Sequence, residues 1–402
     1  MSNRLTEGSS VRRNGYGYAA RTSHTGLPRG VGLSSVSSAA TAIGFRRRLV
    51  RALVRMVSIA ATLIVVVAPE LWPSAGLAAA SPPLRQLGKG KHLFIGSAVQ
   101  SSALANEADY AAVLAREFSS VTPEQAMKWQ VLEPTQGVVD YSGADAIVTF
   151  ARAHGQRVRG YPLVWHNQLP NWLTQGVVNG TITSAQLSDI LHQHITQVVS
   201  HFRGRVNSWD VVNEPLNEDG TLRATIWLNA LGPGYIAQAL RWAHEADPRP
   251  KLYINDFNIE GAGAKSDAML ALVKNLQADG VPISGVGFEA HLALQFPFPT
   301  NMQQNLARFG ALHVQVAITE ADVRMVLPAT PEKLALQASY FDQLLKACRS
   351  VRQCKSFTLW EYTDLLSWVP GTFSGQGAAT PFDENLQPKP AYFALSNALR
   401  GQ

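Results

Sequence analysis

Short apolar, β-rich runs recur roughly every 30–45 residues along most of this chain. They fall at 93–99, 118–122, 157–165, 206–213, 251–257, 283–291, 314–319 and 356–360. Between them lie stretches with the apolar spacing of helices, at 110–116, 144–154, 187–202, 236–246, 266–279 and 331–348. Strands that alternate with helices fit a parallel sheet with the helices packed outside it. Eight such strands predict an α/β fold, a (β/α)8 TIM barrel forming a single catalytic domain over residues 83–400. No sequence repeat is present, so a solenoid is disfavoured.

The first 80 residues do not share this pattern. Residues 1–45 are rich in Ser, Gly, Arg and Thr. Such a composition buries too little apolar surface to offset its ordering entropy, which predicts a disordered extension. Arg46, Arg47, Arg48, Arg51 and Arg55 then precede an uncharged run of 13 residues at 56–68, and small residues end at Ala78-Ala79-Ala80. A basic stretch, a short apolar run and an Ala-x-Ala end describe a signal-peptide-like segment over 46–80. The apolar run is shorter than the ~20 residues that span a bilayer. The expectation is a secreted or cell-surface protein, with a retained membrane anchor as the other reading. The Arg46-Arg47-Arg48-Leu49-Val50 stretch is also a loose fit to a twin-arginine signal.

The leader changes the meaning of the charge. The whole chain has 35 basic and 29 acidic residues, but ten arginines and only two acids lie in residues 1–80. The remaining 25 basic and 27 acidic residues carry a formal charge of −2. No basic footprint is left for a nucleic acid, which removes that class of partner. Nothing in the sequence implies a protein partner, and a monomer is expected. The only two cysteines, Cys348 and Cys354, stand six residues apart. In an exported chain such a pair is expected to form a local disulfide, the alternative being two reduced thiols. Two cysteines with no adjacent histidine make too few ligands for zinc, so neither metal nor cofactor is expected.

Candidate chemistry gathers at one end of the predicted strands. Glu124 and Lys128 follow the second run and Trp165-His166 close the third. Asn213-Glu214 end the fourth, Asn255-Asp256 end the fifth, and Glu289 and His291 lie on the sixth. Glu320 and Asp322 belong to the seventh, and Trp360 closes the eighth. Barrel enzymes build their sites on the C-terminal face of the strands, where the βα loops converge. Two apolar strands that end in carboxylates, at Glu214 and Glu320, suit glycosidic bond cleavage. One carboxyl must be protonated to expel the leaving oxygen, and one must be ionised to meet the oxocarbenium-like carbon. Glu214 is the candidate general acid/base, its pKa raised by burial and nearby negative charge. Glu320 is the candidate nucleophile, about 5–5.5 Å away if the pair acts with retention.

Supporting groups follow from strand alternation. Glu320 and Asp322 share one face of their strand, and Glu289 and His291 share one face of theirs. An imidazole lodged between Glu320 and Asp322 would be oriented by one and donate to the other. A satisfied core histidine is the blander reading. Asn213 is placed to hold a sugar hydroxyl, and Trp165, Trp360 and Trp368 to stack on sugar rings. Tryptophan is more often plain core.

Taken in order, these residues resemble glycoside hydrolase family 10, the barrel xylanases. The resemblance covers residues 93–393. It rests on Met127-Lys128-Trp129, Leu132-Glu133-Pro134, Leu163-Val164-Trp165-His166, Gln168-Leu169-Pro170 and Trp172. It continues with the Trp-Asp-Val-Val-Asn-Glu-Pro run at 209–215, Asn255-Asp256-Phe257-Asn258, His291-Leu292, Ile318-Thr319-Glu320, Ser367-Trp368 and Lys389-Pro390-Ala391-Tyr392. It implies a retaining endo-1,4-β-xylanase acting on xylan or its oligosaccharides, with Glu214 as acid/base and Glu320 as nucleophile. Lys128, Trp165, His166, Asn213, His291, Trp360 and Trp368 match sugar-contacting or supporting positions.

Four positions depart from the family pattern. Gln125 stands where an Asn normally precedes Met-Lys-Trp, Tyr161 replaces a His, Glu289 replaces a Gln, and Glu361 follows Trp360 where Gly is common. The first three are expected to touch the glycone-side sugars or the catalytic pair. An added carboxyl at 289 would titrate together with Glu214 and Glu320. These changes keep open a related β-glycosidase with another glycone preference, and a carbohydrate-binding protein with a weakened site.

Overall fold

The computed structural model describes residues 82–402. The expected extension at 1–45 and signal-like segment at 46–80 lie outside the described residues. Ten strands occur in chain order: β1 (Phe94–Val99), β2 (Ser120–Pro123), β3 (Arg157–Gly160), β4 (Ser208–Asn213), β5 (Lys251–Asp256), β6 (Gly285–Phe288), β7 (His291–Ala293), β8 (Gln315–Val326), β9 (Cys354–Leu359) and β10 (Gln376–Gly377). Strands β1 to β6 pair in sequence, all parallel. β6 then pairs β8, β8 pairs β9, and β9 returns to β1. This closes an eight-stranded parallel barrel, so no edge is left open among those eight.

The surrounding helices begin where the sequence supplies caps. Thr183 and Gln186 form a capping box at the start of Ser184–His201. Thr330 caps Pro331–Arg349, which opens with Pro331. A proline there loses nothing, because the first helical N–H groups have no partner within the helix. Along Ser184–His201 the buried positions Leu187, Leu191, Ile195, Val198 and Val199 recur at three- and four-residue spacing, as expected of a face laid on the sheet. Cys348 and Cys354 form a disulfide that ties the end of Pro331–Arg349 to the start of β9.

Three expected strands differ in their bounds, each for a local reason. The run at 157–165 stops as regular strand at Gly160, because Pro162 has no N–H to donate. The backbone N–H groups of Leu163 and Val164 resume pairing with the carbonyls of Asp210 and Val211. The run at 283–291 is broken at Ala290, whose φ of 64° turns the chain. His291 therefore starts a separate short strand, paired with β8 at Asp322. Glu289 and His291 do not belong to one uninterrupted alternation. The run at 314–319 extends much further, to Val326, and its register against β9 shifts between Ile318 and Ala321. Helices such as Asn171–Val178, Met302–Gly310 and Pro390–Arg400 were not among the expected elements.

One glycine decides how β3 meets β4. Gly160 pairs in register with Trp209, whose fully buried ring lies against its Cα. A β-carbon at 160 would stand 2.2 Å from that ring. A rigid indole in a packed interior has little room to move aside. We therefore expect Gly160→Ala to cost about 1–3 kcal/mol through overpacking. A thermal melt would check this, and an unchanged midpoint would show that Trp209 can shift freely.

Candidate active site

The C-terminal ends of the barrel strands carry a dense cluster of buried polar residues. Asn213 and Glu214 end β4, Asn255 and Asp256 end β5, Glu289 follows β6, His291 opens β7, and Glu320 and Asp322 lie within β8. Asn255, Asp256 and Asp322 have no exposed surface, and Glu289, Asn213 and Glu320 have almost none. Buried polar groups in such numbers persist only when they satisfy one another.

Asn255 is the centre of that arrangement. Its amide nitrogen donates to Glu320 Oε1 at 2.8 Å, to Asn213 Oδ1 at 2.8 Å and to Glu289 Oε1 at 3.0 Å. Its carbonyl oxygen accepts from the Thr319 hydroxyl at 2.7 Å, which fixes the orientation of the amide. Asn213 in turn donates to Glu214 Oε1 at 3.3 Å and to the Tyr161 hydroxyl at 3.4 Å. Two amide side chains thus connect Glu214 to Glu320 across the barrel mouth. The absence of a side chain at Gly287 makes room, since a β-carbon there would meet Asn255 Oδ1 at 2.0 Å.

His291 lies between two carboxylates. Its Nδ1 is 2.8 Å from Asp322 Oδ2 and its Nε2 is 3.3 Å from Glu320 Oε2. Burial opposes the charged ring, but the charges and hydrogen bonds of Asp322 and Glu320 outweigh it and raise the His291 pKa to about 10. The ring is an imidazolium at neutral pH, donating from both nitrogens. Asp322 Oδ2 also accepts from the Trp368 indole at 2.7 Å, and the Trp368 ring stands 4.9 Å from the imidazole.

Glu214 is set differently. Burial, followed by the nearby charges of Asp256 and Glu320, raises its pKa to about 7. Trp165 and Arg223 pull in the other direction. Arg223 holds the strand end itself, donating to the Glu214 carbonyl at 2.9 Å. His166 Nε2 lies 3.9 Å from Glu214 Oε2. Burial lowers the His166 pKa to about 4, helped by Arg223 and Lys265, so this ring is neutral near pH 7. His166 Nδ1 is buried without a hydrogen-bond partner, on the loop beside Glu214.

The glycone-side candidates form a connected wall. Lys128 Nζ sits 5.9 Å from the Tyr161 ring centroid and 5.4 Å from that of Trp165. Tyr161 meets Trp360 edge to face at 5.0 Å, and both are almost fully buried. Trp360 is therefore packed against Tyr161 more than presented as an open plate, whereas Trp165 and Trp368 are only partly buried. Gln125 donates to Glu124 at 3.1 Å and accepts from Gln168 at 3.3 Å. Glu361 is fully buried with a φ of 62°, and the Tyr110 hydroxyl lies 3.1 and 3.2 Å from its two oxygens. Burial and the charge of Glu124 hold its carboxyl well above the usual range.

Glu289 is packed beside Glu320. One oxygen from each and a ring nitrogen of His291 all lie within 4.8 Å of one another. Two full charges at that separation would repel by about 3 kcal/mol at an effective dielectric constant of ~20. Burial, then the charges of Glu320, Glu214 and Asp256, push Glu289 well above the usual carboxyl range.

Several members of this network were not singled out as site residues from the sequence. Asn255 and Asp256 carried a signal, since they end a predicted strand beside the other polar ends. Lys265 and Glu218 carried none. Lys265 is buried, 2.9 Å from Asp256 and 3.0 Å from Glu218, and stands 3.5 Å from the Phe257 ring centroid. Only the fold brings these positions together.

A closed parallel barrel with two amide-linked glutamates at its C-terminal mouth defines the class of barrel glycoside hydrolases. The particular family follows from comparison with known proteins. The chain belongs to glycosyl hydrolase family 10, whose family model matches residues 83–398. It is 48% identical over 305 residues to an endo-1,4-beta-xylanase of Agaricus bisporus, covering 75% of this chain and 90% of that protein. It is 46% identical to endo-1,4-beta-xylanase A of Phanerodontia chrysosporium, covering 80% and 78%. Among solved structures, xylanase 10B from Thermotoga petrophila RKU-1 in complex with xylobiose superposes with a TM-score of 0.76 at 39% identity, covering 79% of this chain and 97% of that one.

The His291 pair gives stability a pH signature. Its folded pKa of about 10 exceeds the ordinary 6.5, so the folded state holds the proton more tightly than the unfolded chain. That contribution is complete below pH 6.5 and is lost as pH rises to about 10. Melting temperature should fall across this window, and Asp322→Asn should flatten the fall. A wild-type and variant pair with parallel curves would refute the coupling.

Proposed function

We propose that this protein is a retaining endo-1,4-β-xylanase that cleaves xylan by double displacement. In this reading Glu320 attacks the anomeric carbon while Glu214 protonates the leaving oxygen. Glu214, now ionised, then activates water to release the sugar from Glu320. The observation that carries the reading is the unequal setting of the two carboxyls. Glu214 is raised to about 7 by burial and neighbouring negative charge, as an acid must be, whereas Glu320 faces the donors Asn255 and His291. The naming of the similar proteins as endo-1,4-beta-xylanases supports xylan as the polysaccharide.

The other residues take supporting roles. His291, held by Asp322, orients Glu320 and offsets its charge. Asn213, Lys128, Trp165, His166, Gln125, Tyr161 and Trp368 bind sugar, with Trp360 shaping the wall behind Tyr161. We further propose that the segment at 46–80 directs export. Among the described residues no helix is long and apolar enough to cross a membrane.

The direct test is reducing-sugar release from xylan by the purified protein, set beside a panel of aryl β-glycosides. Nuclear magnetic resonance should find the β-anomer as the first product. An α-anomer would overturn the double displacement. Glu320→Ala should abolish turnover with the fold intact. Glu214→Ala should lose ~10²–10⁴-fold on xylan but far less on substrates with good leaving groups, which need no proton. Equal losses on both would remove the acid assignment.

A further inference from the structure

We infer that Glu289 is a positioning residue that acts as a neutral carboxylic acid beside Glu320, and that its ionisation disables the site on the alkaline side. The inference rests on the reading of Glu320 as nucleophile.

The donor count supports it. The Asn255 amide has two hydrogens but faces three acceptors, on Asn213, Glu289 and Glu320. Asn255 cannot fully satisfy two ionised carboxylates together with a carbonyl. A protonated Glu289 resolves the shortage, because it brings a hydrogen of its own.

The surrounding charges agree. Glu214 faces Glu289 from the end of β4, Asp256 from β5 and Glu320 from β8. The cations within reach are His291, at 3.8 Å, and Lys265 on the helix Ala264–Ala278. Both have closer partners. His291 serves Asp322 and Glu320, and Lys265 serves Asp256 and Glu218. Tyr161 and the buried Glu260, which accepts the Ala290 N–H at 2.7 Å, add no positive charge. A buried carboxyl with three acidic neighbours and no cation of its own keeps its proton.

Deprotonation would then remove that hydrogen and place a second negative charge against Glu320. Asn255, now pulled between two carboxylates, would lose its hold on the nucleophile. An amide at this position makes the same contacts without a titrating proton, so Glu289→Gln isolates the effect.

The experiment compares pH profiles of kcat and KM for wild type and Glu289→Gln on an aryl β-xyloside with a good leaving group, which needs no proton from Glu214, so that loss of the Glu214 proton does not set the alkaline limb. The expected result is an alkaline limb of kcat that moves upward by one pH unit or more in the variant. The variant would then outperform wild type about tenfold above the wild-type limb. Superimposed profiles, or a uniform loss at every pH, would overturn the proposal. If the variant does not fold, infrared titration of the wild type decides. A protonated-carboxyl band that persists in Glu214→Ala should vanish along with the alkaline limb, and the lack of such a band would refute the idea. An inactive wild type would instead refute the xylanase reading itself.

Discussion

Everything at the mouth of this barrel depends on where one amide sits. Asn255 has no access to solvent, and its nitrogen is the point at which the ends of β4, β5, β6 and β8 meet. A buried amide cannot be left unpaired without a cost of ~1–3 kcal/mol per group. Its partners are therefore as constrained by it as it is by them. Thr319 prevents the amide from flipping, and the bare backbone at Gly287 leaves it space. Two acids 106 positions apart in sequence are thereby held in one network.

That network also separates the electrostatic environments of the two acids. Two cations near Glu214 are engaged with other groups: Arg223 on backbone carbonyls, Lys265 on Asp256 and Glu218. Near Glu320 a protonated His291 donates directly. The difference comes from which one receives the imidazolium, and Asp322 on the same strand determines that.

The fold was legible in the sequence because barrel strands and helices have different apolar periods, and eight runs in order leave few architectures. The ends of the elements were less legible. Pro162 and the left-handed Ala290 each interrupt an apolar run that reads as continuous. Of the site, the residues at strand ends were visible because the pattern of strands marks those ends. Lys265 and Glu218 lie on a helix and a loop with nothing local to distinguish them, and their contact spans 47 positions. The bridging role of Asn255 was hidden for another reason. Its three acceptors come from three different strands, and no spacing rule encodes a meeting of that kind.

The strained backbone at the same face is part of the design. Glu214, Ala290 and Glu361 adopt φ values of 53°, 64° and 62°, a region that costs a non-glycine residue about 1–2 kcal/mol. Each stands at or just past the end of a barrel strand. An extended chain would carry the next side chain to the opposite face, and a single left-handed residue breaks that alternation. At Glu214 the turn is held by its own N–H, which donates to the Asn255 carbonyl at 2.8 Å. The residue whose side chain holds Glu320 thus also holds, through its backbone, the peptide that presents Glu214. Closure of the barrel pairs β5 with a neighbour on each side, and that framing lets one asparagine hold both carboxyls at once.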